Sequence, residues 1–152
     1  MAILTCSGER KTTVNYSRIA LAGLGATVVY FVLGFLLFGL SPLTKEYAQF
    51  PAVYRTPESM KRVAPIGMLG MLLSITALAA LYALSYRGGS SVAEGARFGV
   101  LVGIFALGSF VLHNYVNLNI GLRLTLGQAF AYLIQWIMAG IVIALIYGPV
   151  AT

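Results

Sequence analysis

The chain has 152 residues, of which 59% are hydrophobic and only 9% are charged, and its formal net charge is +6. Soluble domains carry about 25% charged residues, so this composition excludes an ordinary soluble protein. The basic residues are scattered over the polar connections rather than gathered in a stripe with interleaved aromatics, which excludes nucleic acid as a partner and favours a membrane-flanking role.

Four apolar runs account for this composition. They lack Asp, Glu, Lys and Arg, and they cover residues 19–40, 63–86, 98–116 and 124–147. About 20 apolar residues cross a bilayer as a helix, and the backbone polar groups must be satisfied within the chain. We therefore predict an all-α membrane protein in which residues 1–152 form one domain, an antiparallel bundle of four transmembrane helices.

A polar N-terminal tail, residues 1–17, precedes the first span. Its Cys6 is the only cysteine in the chain, which excludes an internal disulfide. After the first span, the segment LTKEYAQF places Leu43, Tyr47 and Phe50 on one helical face. This pattern predicts a short interfacial helix between the first and second spans.

The second helix is predicted to begin outside the membrane. Thr56 is a suitable N-cap, and Pro57 suits the first helical position, where its missing N–H costs nothing. Charged residues continue to Arg62, so the apolar part of this helix starts at Val63.

Small residues recur four apart in the third and fourth spans. The rows are Gly95, Gly99 and Gly103 in the third span, and Gly140, Ala144 and Gly148 in the fourth. Because such rows let helix backbones approach closely in lipid, we predict that these six residues are helix-packing positions.

Polar side chains gather where the third span ends and the fourth begins. His113, Asn114 and Asn117 are three or four residues apart and share a helix flank, and Gln128 should lie at nearly the same depth. These four residues predict a polar pocket that binds a cofactor or ligand. The sequence requires no cofactor, and it leaves open a lipid or a single pigment ligated by His113.

A structural role competes with a ligand role for these residues. His113 could form an interhelical hydrogen bond to Gln128 or to a backbone carbonyl, and the frequency of such bonds between membrane helices favours this interpretation. A metal site is not predicted, because zinc requires three or four ligands and the chain has one His. Gln135 lies at mid-membrane depth and is expected to face another helix, since its amide would be unsatisfied in lipid.

The residues that are missing restrict the function. The chain has no Asp, and its four Glu all lie outside the apolar runs, which argues against ion-coupled transport. No nucleophile–base pair is present, so the sequence does not predict an enzyme.

Three segments carry a family resemblance: FPAVYR (50–55), EGARFG (94–99) and HNYVNLNIGLR (113–123). With them, the chain resembles small uncharacterised four-span membrane proteins of bacteria that carry domain-of-unknown-function labels. The resemblance implies a bacterial origin and four helices, and it supplies no activity or site residue.

The prediction for function is a non-catalytic accessory subunit that packs against other membrane protein subunits and lipid in a larger bacterial complex of energy conversion. The alternative is a small-molecule binder or carrier for a lipid, quinone or pigment, using the pocket around His113. The expected location is the bacterial cytoplasmic (inner) membrane. Both termini should lie on one side, which we take to be the cytoplasmic side because a polar tail is then not translocated.

Overall fold

The computed structural model describes residues 14–86, 88 and 91–148, and this part of the chain is helical with no strand. Four helices in it are long and apolar enough to cross a membrane: Tyr16–Gly39, Pro57–Ser85, Val92–Asn117 and Leu122–Tyr147. The predicted all-α class and the four apolar helices are confirmed, which indicates a membrane protein. Most of the polar tail predicted at residues 1–17, including Cys6, lies outside the described residues.

The helices follow one another with short connections. Helix α1 (Tyr16–Gly34) continues as a π-helical turn (Phe35–Gly39), and α2 (Leu43–Ala48) is a short helix in the connection to α3 (Pro57–Ser85). Helix α4 (Ser91–Ala106) also continues as a π-helical turn (Leu107–Leu112), and this turn leads into α5 (His113–Asn117). Helix α6 (Leu122–Tyr147) completes the described chain.

Side-chain caps fix the starts of two helices. The Asn15 side chain accepts a hydrogen bond of 3.1 Å from the backbone N–H of Arg18 at the start of α1. Thr56 accepts a corresponding bond of 3.3 Å from the N–H of Ser59, and Pro57 is the first residue of α3. These bonds satisfy backbone donors that have no partner within the helix. The predicted start of the second helix is confirmed.

Helices α1 and α6 form the centre of the bundle. Helix α6 packs extensively against α4 on one side and α1 on the other, and α1 packs against α3. The core between them is built from small residues and a few larger ones, including Ala22, Ala26, Ile75, Ala79 and Ile143. Helices α3 and α4 meet directly at few points. One of these is the edge-on pair of Tyr82 and Phe98, whose ring centroids are 5.3 Å apart.

The closest helix contact joins α4 to α6 through the predicted small-residue rows. A Cβ atom added at Gly95 would lie 2.7 Å from the Cα of Ile141, and one added at Gly99 would lie 2.6 Å from the Cα of Ile137. From the other side, a Cβ added at Gly140 would lie 2.7 Å from the Cα of Gly99. The absence of a side chain at these positions is what allows the two backbones to touch.

The remaining members of the rows have different surroundings. The Cβ of Ala144 lies 2.7 Å from where a Cβ at Gly95 would be, so Ala144 belongs to the same contact. Gly103 faces the Leu133 side chain, whose Cδ1 would lie 2.8 Å from an added Cβ. Gly148 follows α6, where its carbonyl oxygen accepts a hydrogen bond of 3.0 Å from Nη1 of Arg18.

Gln135 lies at the contact between α6 and α1. Only 1% of its surface is exposed, and its Nε2 donates a hydrogen bond of 2.9 Å to the carbonyl oxygen of Tyr30. Gly34 leaves room for this amide, because a Cβ added there would lie 2.9 Å from Nε2. The expectation that Gln135 faces another helix is confirmed.

Candidate functional site

A cleft lies between α3 and α4, where the helix arrangement leaves these two helices apart. Its volume is about 420 Å³, which falls in the range of small-molecule pockets. Tyr30 of α1 and Tyr132 and Trp136 of α6 form its floor. Helix α3 contributes one wall, which includes Ala77, and the opposite wall includes Phe105 at the end of α4.

Aromatic rings dominate the floor and one end of the cleft. The rings of Tyr30 and Trp136 have centroids 5.0 Å apart and are tilted by 52° to each other. Phe110 meets Tyr132 edge-on, with centroids 5.8 Å apart. This surface offers a large apolar area with few rotatable bonds, which is suited to a flat or hydrocarbon-rich molecule.

The polar atoms of the cleft are few and neutral. Ser74 donates its hydroxyl proton to the carbonyl oxygen of Gly70 at 2.9 Å, and Ser109 donates to that of Phe105 at 2.7 Å. Both serine oxygens remain able to accept a hydrogen bond. No Asp, Glu, Lys, Arg or His lines the described cleft, so a charged molecule would lose its hydration there without gaining a partner.

Tyr30 is the most deeply buried of the polar residues in the cleft. It is 5% exposed and its backbone carbonyl already accepts the Gln135 amide. Its phenol hydroxyl forms no hydrogen bond within the described chain. Its oxygen is not among the fully buried side-chain atoms that lack a partner, so it keeps accessible surface and is available to a molecule bound in the cleft.

The π-helical turn Leu107–Leu112 supplies part of the α4 wall. It carries Ser109 and Phe110, which both line the cleft. A π-helical turn changes the direction of side chains relative to the preceding α-helix, and such turns are frequent at functional sites. The turn therefore places the Phe110 ring and the Ser109 hydroxyl in the lining of the cleft, to which α4 itself contributes only apolar side chains.

The polar cluster at the start of α6 is organised around Gln128 rather than His113. Gln128 is 5% exposed, and its Nε2 donates hydrogen bonds to the hydroxyl oxygens of Tyr47 at 2.8 Å and Tyr54 at 3.2 Å. The two phenol rings meet edge-on with centroids 4.7 Å apart. Burial raises the pKa of the Tyr47 hydroxyl, and the Gln128 hydrogen bond lowers it in part.

This cluster fastens α2 and the following loop to α6. Beside it, Nε of Arg123 lies 3.2 Å from a carboxylate oxygen of Glu46, and the Leu43 side chain fills the space left by Gly127. The Gln128 cluster therefore has a structural task already, because it satisfies a buried amide and holds the connection between the first two spans in place.

The four residues of the predicted polar pocket do not form one hydrogen-bonded group in the described part of the chain. His113 is exposed, and its side chain forms no hydrogen bond to any described residue. Asn117 is also exposed, and its Nδ2 donates to the carbonyl oxygen of His113 at 2.7 Å. Asn114 is half-buried and its carbonyl oxygen accepts from Leu118 at 2.8 Å. No described hydrogen bond joins any of these three residues to Gln128, and ligand binding at the four positions stays a prediction.

The cleft residues were not among the residues predicted from sequence. They come from four helices and share no spacing motif, and Trp136 reads as ordinary packing when the sequence is taken alone. The clearest signal for them is Tyr30, a large polar residue that continues the row of small residues at Ala22 and Ala26.

A metal centre has no support in the described part of the chain, where no three His, Cys, Asp or Glu side chains lie close enough to hold an ion. Comparison of the sequence with protein-family models and with curated proteins, and of the structure with solved structures, found no match. The candidate function therefore rests on the geometry of the cleft and on the surfaces around it.

Proposed function

We propose that the protein binds a neutral, lipid-soluble small molecule in the cleft between α3 and α4. The observation that carries this proposal is the cleft itself: about 420 Å³ of space, with a floor of Tyr30, Tyr132 and Trp136, no charged lining residue and a side opening between two apolar helices. In a membrane, such an opening faces the hydrocarbon region, from which a lipid-soluble molecule can enter without crossing water.

The proposal includes a membrane arrangement with antiparallel spans. Arg18 near the start of α1 contacts the end of α6 at Gly148, while Tyr47, which follows α1, contacts Gln128 near the start of α6. Both contacts support opposite directions for α1 and α6. The pairing of Gly95 with Ala144 supports the same relation between α4 and α6.

Two further parts of the proposal concern the membrane surface. Helix α2 lies in the interface, because Leu43 packs against α6 at Gly127 while Lys45 is exposed. The proposed location is a bacterial inner membrane with both termini on the cytoplasmic side. The even number of candidate spans supports only that the termini lie on one side.

Filling the cleft tests the binding function. Ala77 lies on the α3 wall, and Ala77→Phe would place a ring in the space that the ligand needs. The protein is purified from membranes in lipid nanodiscs, its organic extract is analysed by mass spectrometry, and lipid-soluble molecules are counted per chain. We expect about one specific molecule per chain in the wild type and a loss of about tenfold or more in Ala77→Phe, since overpacked sites exclude their occupant.

Ala93→Phe is the matched control. Ala93 is an exposed residue of α4 outside the cleft lining, so the same substitution there should leave the extracted molecule unchanged. Equal amounts of every extracted lipid in the wild type and both variants would show that the cleft holds no specific ligand and would refute the proposed function.

A second candidate function is that of an accessory subunit packed against partners in a membrane complex of energy conversion. The surface that favours it belongs to α3. Only 11% of the most apolar 18-residue segment of α3 is buried within the chain, compared with 39% of the corresponding segment of α6. Gly67 and Gly70 on this helix have nothing within 4 Å of an added Cβ. Glycines that face no neighbour within the chain provide the close approach that a partner helix requires.

Native electrophoresis of mildly solubilised membranes tests this candidate. We expect the wild type to migrate with other membrane proteins and Gly67→Leu to lose them, because the added side chain would hold a partner helix away. Met68→Leu is the control, because Met68 is an exposed residue of the same helix and this substitution adds no bulk. Identical migration of all three proteins as a single small species contradicts the accessory role.

A further inference from the structure

The hydroxyl of Tyr30 indicates which kind of molecule occupies the cleft. Tyr30 lies on the cleft floor and is 5% exposed, and its hydroxyl has no hydrogen-bond partner in the described part of the chain. A hydroxyl in hydrocarbon without a partner costs free energy. A bound molecule that carries an oxygen acceptor at this depth would remove that cost.

We propose that the ligand is a quinone, whose ring carbonyl accepts a hydrogen bond from the Tyr30 hydroxyl. This inference rests on the proposed function, because it names the chemical class of the molecule that the cleft binds. It assigns Tyr30 as the polar contact, Trp136 as the aromatic surface beside the ring, and the gap between α3 and α4 as the path of the hydrocarbon tail.

The ring surfaces match a flat ligand. The Trp136 ring lies beside Tyr30 with centroids 5.0 Å apart, and both residues line the same floor. A quinone ring held by the Tyr30 hydroxyl is therefore within reach of the indole. Aromatic pairs of this kind contribute free energy beyond the apolar area that they bury.

The absence of charge in the described lining selects against the other abundant membrane lipids. Phospholipids and fatty acids carry a charged group that must remain at the membrane surface, and their hydrocarbon chains have no acceptor for Tyr30. The residue occupies position 15 of the 24 in the span Tyr16–Gly39, well inside the apolar region. A quinone is neutral and has its polar atoms on the ring, so the whole head can lie at that depth.

The serine hydroxyls add a second point of recognition. Ser74 and Ser109 stand on the two walls, and each already donates its proton to its own helix. Their oxygens can accept but have no second proton to give. The walls thus suit the hydroxyl donors of a reduced quinol, while Tyr30 suits the carbonyl of the oxidised form, so the site accommodates both forms of the molecule.

Trp136 provides a direct measurement of binding. It is the only tryptophan in the chain and it lines the cleft, so a quinone bound there would quench nearly all the indole fluorescence by contact. Protein in nanodiscs is titrated with a benzoquinone that carries a decyl chain. We expect saturable quenching of the wild type, and a half-saturation concentration raised about threefold to tenfold in Tyr30→Phe, which loses only the hydroxyl.

Three controls separate the possible outcomes. Tyr115→Phe makes the same change at an exposed tyrosine outside the cleft and should titrate like the wild type. Ala77→Phe should abolish saturable quenching. Decylbenzene, which has the ring and tail without the carbonyls, should not displace the quinone at equal concentration.

The results also distinguish this inference from the proposed function. If Ala77→Phe abolishes quenching while Tyr30→Phe titrates like the wild type, or if decylbenzene competes equally, the cleft binds lipid-soluble molecules but does not recognise a quinone carbonyl. If Ala77→Phe quenches as the wild type does, the cleft is not the binding site and both proposals are wrong.

Discussion

Gly99→Leu should prevent the bundle from assembling, because Gly99 occupies the closest contact between α4 and α6. An added Cβ would overlap the carbonyl oxygen of Trp136 and lie 2.6 Å from the Cα of Ile137. Both are backbone atoms, which cannot move without displacing the helix. Overpacking a well-packed site usually costs about 1–3 kcal/mol, and a leucine against backbone should exceed that range. Unfolding in mixed micelles with increasing sodium dodecyl sulfate measures the loss.

Gly108→Leu is the matched control for this substitution. Gly108 lies on the same span in the π-helical turn and has nothing within 4 Å of an added Cβ, so leucine there should leave the unfolding midpoint nearly unchanged. Gly99→Ala should fall between Gly99→Leu and the wild type. If Gly99→Leu were as stable as Gly108→Leu, the α4–α6 contact would be looser than the structure places it.

Arg18→Leu should lower the free energy of unfolding by about 2–3 kcal/mol, since hydrogen bonds to charged groups are worth about 1.5–3 kcal/mol. Nη1 of Arg18 donates to the carbonyl oxygens of Gly148 at 3.0 Å and Tyr147 at 3.4 Å. These carbonyls lie at the end of α6, where the helix dipole favours a positive charge. The same unfolding titration measures the loss, and amide hydrogen exchange should show faster opening of the last turn of α6.

Two further variants test the physical cause. Arg97 is an exposed residue of α4, and Arg97→Leu removes a positive charge without removing a described hydrogen bond, so it should change stability by less than about 0.5 kcal/mol. Arg18→Lys keeps the charge but has a different donor geometry, and it should recover about half of the loss. Equal stability of Arg18→Leu and Arg97→Leu would show that the contact with α6 contributes nothing.

The spans and the close helix contact could be predicted because each depends on a local pattern. Length and hydropathy identify an apolar run whatever its neighbours are, and glycines four apart lie on one face of any helix. The start of α3 follows from Thr56 and Pro57 for the same reason. The pairing of Gly99 with Gly140, in contrast, required the structure, since each small-residue row could have packed against any of the other three spans.

The cleft could not be predicted because it depends on which helices stay apart over part of their length. Its floor and walls belong to residues of four helices, and only the arrangement that separates α3 from α4 exposes Tyr30 to an open space. The polar cluster had a similar difficulty. The position of Gln128 along α6 predicts a membrane depth close to that of His113, and Tyr47 and Tyr54 of the connection are expected on the same side of the membrane. That their hydroxyl oxygens accept the amide protons of Gln128 depends on how the connection folds.

The π-helical turn Leu107–Leu112 bears on how the third span tolerates changes in length. An α-helix has 3.6 residues per turn, and a π-helical turn accommodates one extra residue by widening, so the segments on either side keep their orientation. Deleting one residue between 107 and 112 would convert the turn to α-helix and leave the Gly95–Gly99 face and α5 pointing as they do now. The same deletion in the middle of α6, which is α-helical throughout, would rotate everything beyond it by about 100°. The third span can therefore lose one residue at this turn without changing the orientation of the segments on either side. Helix α6 cannot, because it packs against α4 and α1 along its length.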